Sequence, residues 1–180
     1  MGPITYALCQ KPVIGLMMWA TSLCQFPPLI SNTPFSVTEI NNTVIKSFEV
    51  PVDKRYTLKM DFDFVSRDAY KADLNIGTRS HQHCFDETPY QEIPRSERKG
   101  LGQPLDFKLT IKDKNQKVVI KKSFSSLCIS SYRPPIKRRT LTHVNLTEGS
   151  YTLELTTLSK YENFQEVNSS LILDAGRWMK

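Results

Sequence analysis

Between residues 56 and 64 apolar and polar side chains alternate without interruption. Tyr56, Leu58, Met60, Phe62 and Phe64 are apolar, and Thr57, Lys59, Asp61 and Asp63 between them are polar. The same beat returns at Tyr70, Ala72, Leu74 and Ile76, at Leu105, Phe107, Leu109 and Ile111, and at Tyr151, Leu153 and Leu155. Successive side chains of a strand point to opposite faces, so each segment has one oily face and one wet face. Such segments bury their oily faces only by packing sheet against sheet. The pattern therefore predicts an all-β chain, an antiparallel two-sheet β-sandwich, with a small β-barrel as the alternative; the corner motif at Gly149-Ser150-Tyr151 makes the expected sandwich Ig-like. Its expected core holds Leu58, Met60, Phe62, Phe64, Leu74, Ile76, Phe107, Leu109, Ile111, Tyr151, Leu153, Leu155, Leu171 and Leu173.

At 180 residues the chain has room for one ordinary domain. The N-terminus reads as a targeting segment. Lys11 precedes a short apolar run from Pro12 to Ala20, of signal-peptide length and too short for a bilayer-spanning helix of ~20 residues. Ala20-Thr21-Ser22 offers small residues for cleavage after Ser22, so residues 1–22 are expected to be a signal peptide. Cleavage after residue 23 would instead leave Cys24 at the mature N-terminus, as a candidate for lipidation. Residues 23–34 hold Pro27, Pro28 and Pro34 and read as a linker. The folded domain is expected over 35–175, with a tail at 176–180. Export places the product in the periplasm or on a membrane tether. Outside the N-terminal segment only Cys84 and Cys128 remain, which in an exported domain reads as one disulfide closing a loop of about 44 residues.

Within the domain, strands are expected near 44–50, 55–66, 69–78, 105–112, 117–124, 140–146, 151–158 and 169–174. Segments 55–66 and 69–78 are expected to form a hairpin around Arg67-Asp68. A long irregular insert occupies about 80–103. In Val144-Asn145-Leu146-Thr147-Glu148-Gly149-Ser150-Tyr151, Gly149 turns the chain and Tyr151 is placed to return its hydroxyl to the corner, as in a tyrosine corner.

An ordered series runs through the domain: Phe48-Glu49-Val50-Pro51-Val52-Asp53, the strand from Tyr56 to Phe64, Pro104-Leu105-Asp106-Phe107-Lys108-Leu109, and Leu146-Thr147-Glu148-Gly149-Ser150-Tyr151. It resembles a family of small bacterial envelope proteins, often lipoproteins, known only as a domain of unknown function. The resemblance implies an exported bacterial protein with no established activity and no catalytic residues to carry over.

The chemistry on view is sparse. There is no Gly-x-Ser-x-Gly elbow and no phosphate-cradling glycine loop. Asp61 and Asp63 read as a solvated strand face. His81 and His83 fall on one side of an extended segment and, with His143, form the metal or hydrolase alternative, although no fourth ligand is placed by spacing. No metal and no cofactor is expected. The formal net charge of +6 is spread along the chain without the dense stripe of a nucleic-acid binder. The densest basic segment is Tyr132, Arg133, Lys137, Arg138 and Arg139, read as a loop. With His81 and His83 it makes the candidate binding surface. The expected function is a non-enzymatic binding module of the bacterial cell envelope. Its expected partner is an envelope protein, with an immunity-type role against a secreted toxin as one version. An anionic lipid surface is a further partner, and nucleic acid is not. The sequons at Asn41, Asn145 and Asn168 bear on the protein only in a eukaryotic secretory route.

Overall fold

The computed structural model describes residues 27–80, 88–164 and 167–175, together with Ile4 and Leu8. Among the described residues nine strands form two sheets: β1 (Ile30–Pro34), β2 (Thr43–Val50), β3 (Lys54–Phe64), β4 (Leu105–Asp113), β5 (Val118–Ser126), β6 (Ile129–Arg133), β7 (Ile136–Leu146), β8 (Gly149–Thr157) and β9 (Val167–Asp174). One sheet has the order β1-β9-β3-β7-β6 and the other β2-β8-β4-β5, with every pairing antiparallel. The antiparallel two-sheet sandwich is as the alternation predicts. Its strand order is that of two interlocked Greek keys, a jelly roll, with β6 added at one edge. The immunoglobulin order, ABED against CFG, is not the one present.

The core lies where the period of two puts it. Tyr56, Leu58, Met60 and Phe62 from one sheet meet Phe107, Leu109, Ile111, Leu153 and Leu155 from the other, all at 0% exposure. Burying each large apolar side chain contributes roughly 1.5–3 kcal/mol. The tyrosine-corner bond is made at a second site: the Tyr56 hydroxyl donates to the Val52 carbonyl, four residues upstream, at 2.8 Å. The Tyr151 hydroxyl instead pairs with the Thr147 side chain at 3.0 Å.

Two expectations are corrected. Segment 69–78 is not a strand and makes no hairpin with β3; a short helix, α1 (Arg67–Ala72), takes its place. Ser66 is extended and its hydroxyl accepts the Ala69 N–H at 3.1 Å, the standard way to satisfy an orphan donor of a first turn. Asp68 in the first turn and Lys71 in the last complement the helix dipole. Beyond α1 the Asp73 carboxylate accepts the N–H groups of Asn75 and Ile76, and this turn sends Ile76 into the core. Leu74, expected in the core, is 74% exposed. The second correction concerns the linker. Its last residues, Ile30–Pro34, form β1 along β9, with Ile30 opposite Leu173 and Pro34 opposite Ser170.

The described part of the insert, residues 88–103, packs on a small core of its own. Two 3₁₀ turns, Tyr90–Glu92 and Arg95–Glu97, each follow a proline. Ile93, Leu101, Leu127 and Cys128 cluster beside them with Tyr90. The Arg98 guanidinium sits 4.8 Å from the Tyr90 ring and donates to the carbonyls of Ile93 and Gln91 at 2.8 and 3.0 Å.

Candidate functional site

The basic segment 132–139 is a hairpin of β6 and β7, not a loop, and that decides the fate of its cations. Alternation along β7 turns Lys137 and Arg139 inward and Arg138 outward. Lys137 is 3% exposed. Its ammonium donates to the Asp73 carboxylate at 2.6 Å and to the Asp73 carbonyl at 3.1 Å, and lies 5.3 and 5.1 Å from the rings of Phe64 and Tyr70. Arg138 forms a bidentate pair with Asp61, its partner across β3, which raises its pKa through that hydrogen bond.

Arg139 has 0% exposure. Its Nε donates to the Ile76 carbonyl at 3.0 Å. Nη1 reaches the carbonyls of Gln103 and Ser126 at 2.8 and 2.9 Å, and Nη2 those of Asn75 and Ile76 at 2.9 and 2.8 Å. Burial pushes this guanidinium down to about 9, so it keeps its charge at neutral pH. The close approach requires Gly102: a Cβ there would stand 2.6 Å from Nη2, and the backbone φ is +86. Lys137, Arg138 and Arg139 are therefore corrected from candidate binding residues to structural ones. Their partners, Asp61, Asp73 and the carbonyls of residues 75–76, lie on chain segments remote in sequence, where no local motif announces them.

Tyr132 and Arg133 stay on the surface, Tyr132 at 67% exposure. Tyr132 borders the α1 segment, which the strand pattern hid. Tyr132 lies opposite Lys137 on β7, and Lys137 touches Tyr70 and Asp73 of the α1 segment. Tyr70 packs edge-on against Phe64 at 5.5 Å. Burial, then the neighbouring Tyr132 phenol, hold the Tyr70 hydroxyl above its ordinary value. Val65 and Leu74, which bracket α1, are 67% and 74% exposed. Arg67 and Lys71 on α1 and Arg133 on β6 are exposed as well. The one local signal for this surface was Ser66 ahead of Arg67-Asp68, a helix N-cap that would have freed Leu74 from the core.

A cleft of 810 Å³ opens on the outer face and end of the five-stranded sheet. β1 and the residues after it contribute Asn32, Pro34, Ser36 and Thr38, β3 contributes Asp61 and Asp63, β7 Ile136, and β9 Asn168 and Ser170. In the register Ser170 faces Asp61, and Asn168 faces Asp63.

The remaining candidates are placed as follows. His81, His83, Cys84 and Cys24 lie outside the described residues. His143 stands on β7 with its Nδ1 3.1 Å from the Thr57 hydroxyl. Among the described residues no group of three His, Cys, Asp or Glu is placed to hold a metal ion. Cys128 is buried in the insert's small core and is not a free thiol. Among the described residues no helix is long and apolar enough to cross a membrane.

Comparison with known proteins supports the architecture. The fold is similar to the crystal structure of a protein from Sulfurospirillum deleyianum, with a TM-score of 0.65 over 85% of this chain and 99% of that one, at 13% identity. At that identity the likeness concerns the fold alone. No curated protein matches the chain. One family profile matches residues 32–175, nearly the whole sandwich, and by it the chain belongs to the family described as a domain of unknown function, DUF5625.

Proposed function

We propose that this chain is a non-enzymatic binding module of the bacterial cell envelope, exported through its N-terminal segment, and that it docks a protein partner through the end of the sandwich built from α1 and the β6–β7 hairpin. The observation that carries the reading is that Val65 and Leu74, which bracket α1, and Tyr132, which lies opposite Lys137 on the hairpin that holds α1, are each more than 60% exposed. Large apolar side chains facing water mark interaction surfaces, and tyrosine and arginine are among the residues enriched at binding hot spots. The Lys137–Asp73 pair beneath holds α1 against the hairpin, so the surface is presented on a rigid base. A Cys84–Cys128 disulfide belongs to the same proposal: it would tie the insert to the β5–β6 connection. The toxin-blocking version rests on size and lack of catalytic groups and gains nothing further from this surface.

The test is capture from envelope extract with the full chain, repeated with the triple variant Leu74→Ser, Tyr132→Ala, Arg133→Ala. All three residues are exposed, so the variant should fold with an unchanged melting profile. Loss of a reproducibly captured protein supports the docking end. Equal capture by both forms rejects it.

A further inference from the structure

We infer that the 810 Å³ cleft on the outer face of the five-stranded sheet is a second, independent site, which takes a neutral polyhydroxylated ligand, a saccharide chain. Its volume lies within the ~300–1,000 Å³ of small-molecule sites. Four of its polar side chains, Asn32, Asp63, Asn168 and Ser170, come from three adjacent strands and bond to no other described residue. The others are engaged. Ser169 donates to the Phe35 carbonyl at 2.6 Å, Ser36 pairs with Thr38 at 2.7 Å, and Asp61 holds Arg138.

The unengaged groups define the ligand. Asp63 accepts only, while the two carboxamides and the Ser170 hydroxyl both donate and accept. A sugar hydroxyl also does both, so adjacent hydroxyls can give their protons to Asp63 and receive protons from Asn168, which faces it across β3 and β9. An anionic ligand finds no cation in the lining, because the nearby Arg138 is taken up by Asp61. A cationic ligand finds a single uncompensated carboxylate, in a chain of net charge +6, and leaves the amide donors facing a cation. Pro34 and Ile136 supply the apolar contact that the C–H face of a sugar ring needs.

The experiment titrates the full chain with chitohexaose, cellohexaose and maltohexaose, with polygalacturonate and a lysine-rich peptide as the anionic and cationic comparisons. Binding is followed by calorimetry and by amide shift changes. The expected result is binding of at least one neutral oligosaccharide, with shifts on β1, β3 and β9. Asp63→Ala and Asn168→Ala should each weaken it by about tenfold or more, as loss of a hydrogen bond to a charged or amide group does. Both positions are exposed, and unchanged melting checks that the variants fold. The inference is overturned by no binding of any neutral oligosaccharide at millimolar concentration, by binding that the double variant retains, or by binding of the peptide or polygalacturonate alone. Protein capture at the α1 end is read on the same variants. Its persistence there shows that the docking proposal stands or falls separately.

Discussion

Arg139 shows how much one buried side chain can organise. Its five hydrogen bonds all go to backbone carbonyls, from the turn at 75–76, the end of the insert at 103 and the end of β5 at 126. Removing it would take donors from the buried carbonyls of Ile76 and Ser126, each costing about 1–3 kcal/mol, and from the half-buried carbonyls of Gln103 and Asn75, the latter of which also accepts the Gln103 N–H at 2.6 Å. Arg139→Ala is therefore expected to destabilise the fold by 4 kcal/mol or more, on the order of the largest single-site effects, in urea unfolding. Arg139→Lys should recover only a minor part, since one ammonium cannot reach all four carbonyls with the planar fork's geometry. At Tyr161 the prediction concerns pH. Its hydroxyl donates to the Asp106 carboxylate at 3.2 Å and accepts the Asp106 N–H at 2.6 Å, and burial raises its pKa. An acid whose folded value is raised holds its proton longer when folded, so the unfolded chain binds fewer protons above about pH 10 and stability falls as pH rises there. Arg139, whose folded value of about 9 is below its ordinary one, has the opposite slope. The comparison of wild type with Tyr161→Phe between pH 8 and 11 isolates the tyrosine. The variant should lose stability less steeply in the alkaline arm, and parallel curves would refute the assignment.

At the scale of elements, α1 and β7 are coupled through Lys137 and Asp73, whose side chains are 4% and 7% exposed. Breaking a buried pair from one side leaves a charge in the interior and costs about 3–5 kcal/mol. Asp73→Ala should therefore destabilise by that amount, and pairing it with Lys137→Met should return part of the loss. The return is incomplete because Asp73 also accepts the N–H groups of Asn75 and Ile76. Ser66→Ala tests the helix itself, with an expected cost of about 1 kcal/mol for the lost N-cap. Hydrogen exchange at Ala69 and Tyr70 would report it locally; unchanged protection there would show that α1 is held by packing alone. These effects explain why the strand reading failed between residues 69 and 78. Tyr70, Ala72, Leu74 and Ile76 keep a period of two, but the segment is short, and a serine cap with an Asx turn outweighs so brief an alternation.

At the scale of the whole molecule, two separate surfaces of the sandwich are proposed as sites: the end around Tyr132, and the polar cleft around Asp63. The first was legible in part, since Tyr132 and Arg133 belong to the basic segment that the sequence singles out, and the cleft was not. The basic segment 132–139 was visible, but three of its cations are consumed by Asp61, Asp73 and backbone carbonyls. Which lysine or arginine is free depends on pairings between residues tens of positions apart. The proposed Cys84–Cys128 bridge belongs to this scale as well. Non-reducing peptide mapping should recover the two cysteines in one linked fragment, and reduction should lower the melting temperature, in line with about 3–4 kcal/mol for a loop of this length. Recovery of Cys84 as a free thiol would end that part of the proposal.

Alternation by itself was enough to determine that two antiparallel sheets would pack, and which faces of β3, β4, β8 and β9 would meet. A strand's inward positions are set by its own period, and the free energy gained by burying Leu58, Phe107 or Leu153 scales first with the apolar area each removes from water, whichever strands supply the neighbours. Tertiary structure decided the rest. It ordered the strands as a jelly roll and drew Ile30–Pro34 into the sheet against β9. It also buried Arg139 while leaving Leu74 in water. Each of these turns on hydrogen bonds and ion pairs between residues distant in sequence, whose value appears only once the fold has brought both partners together.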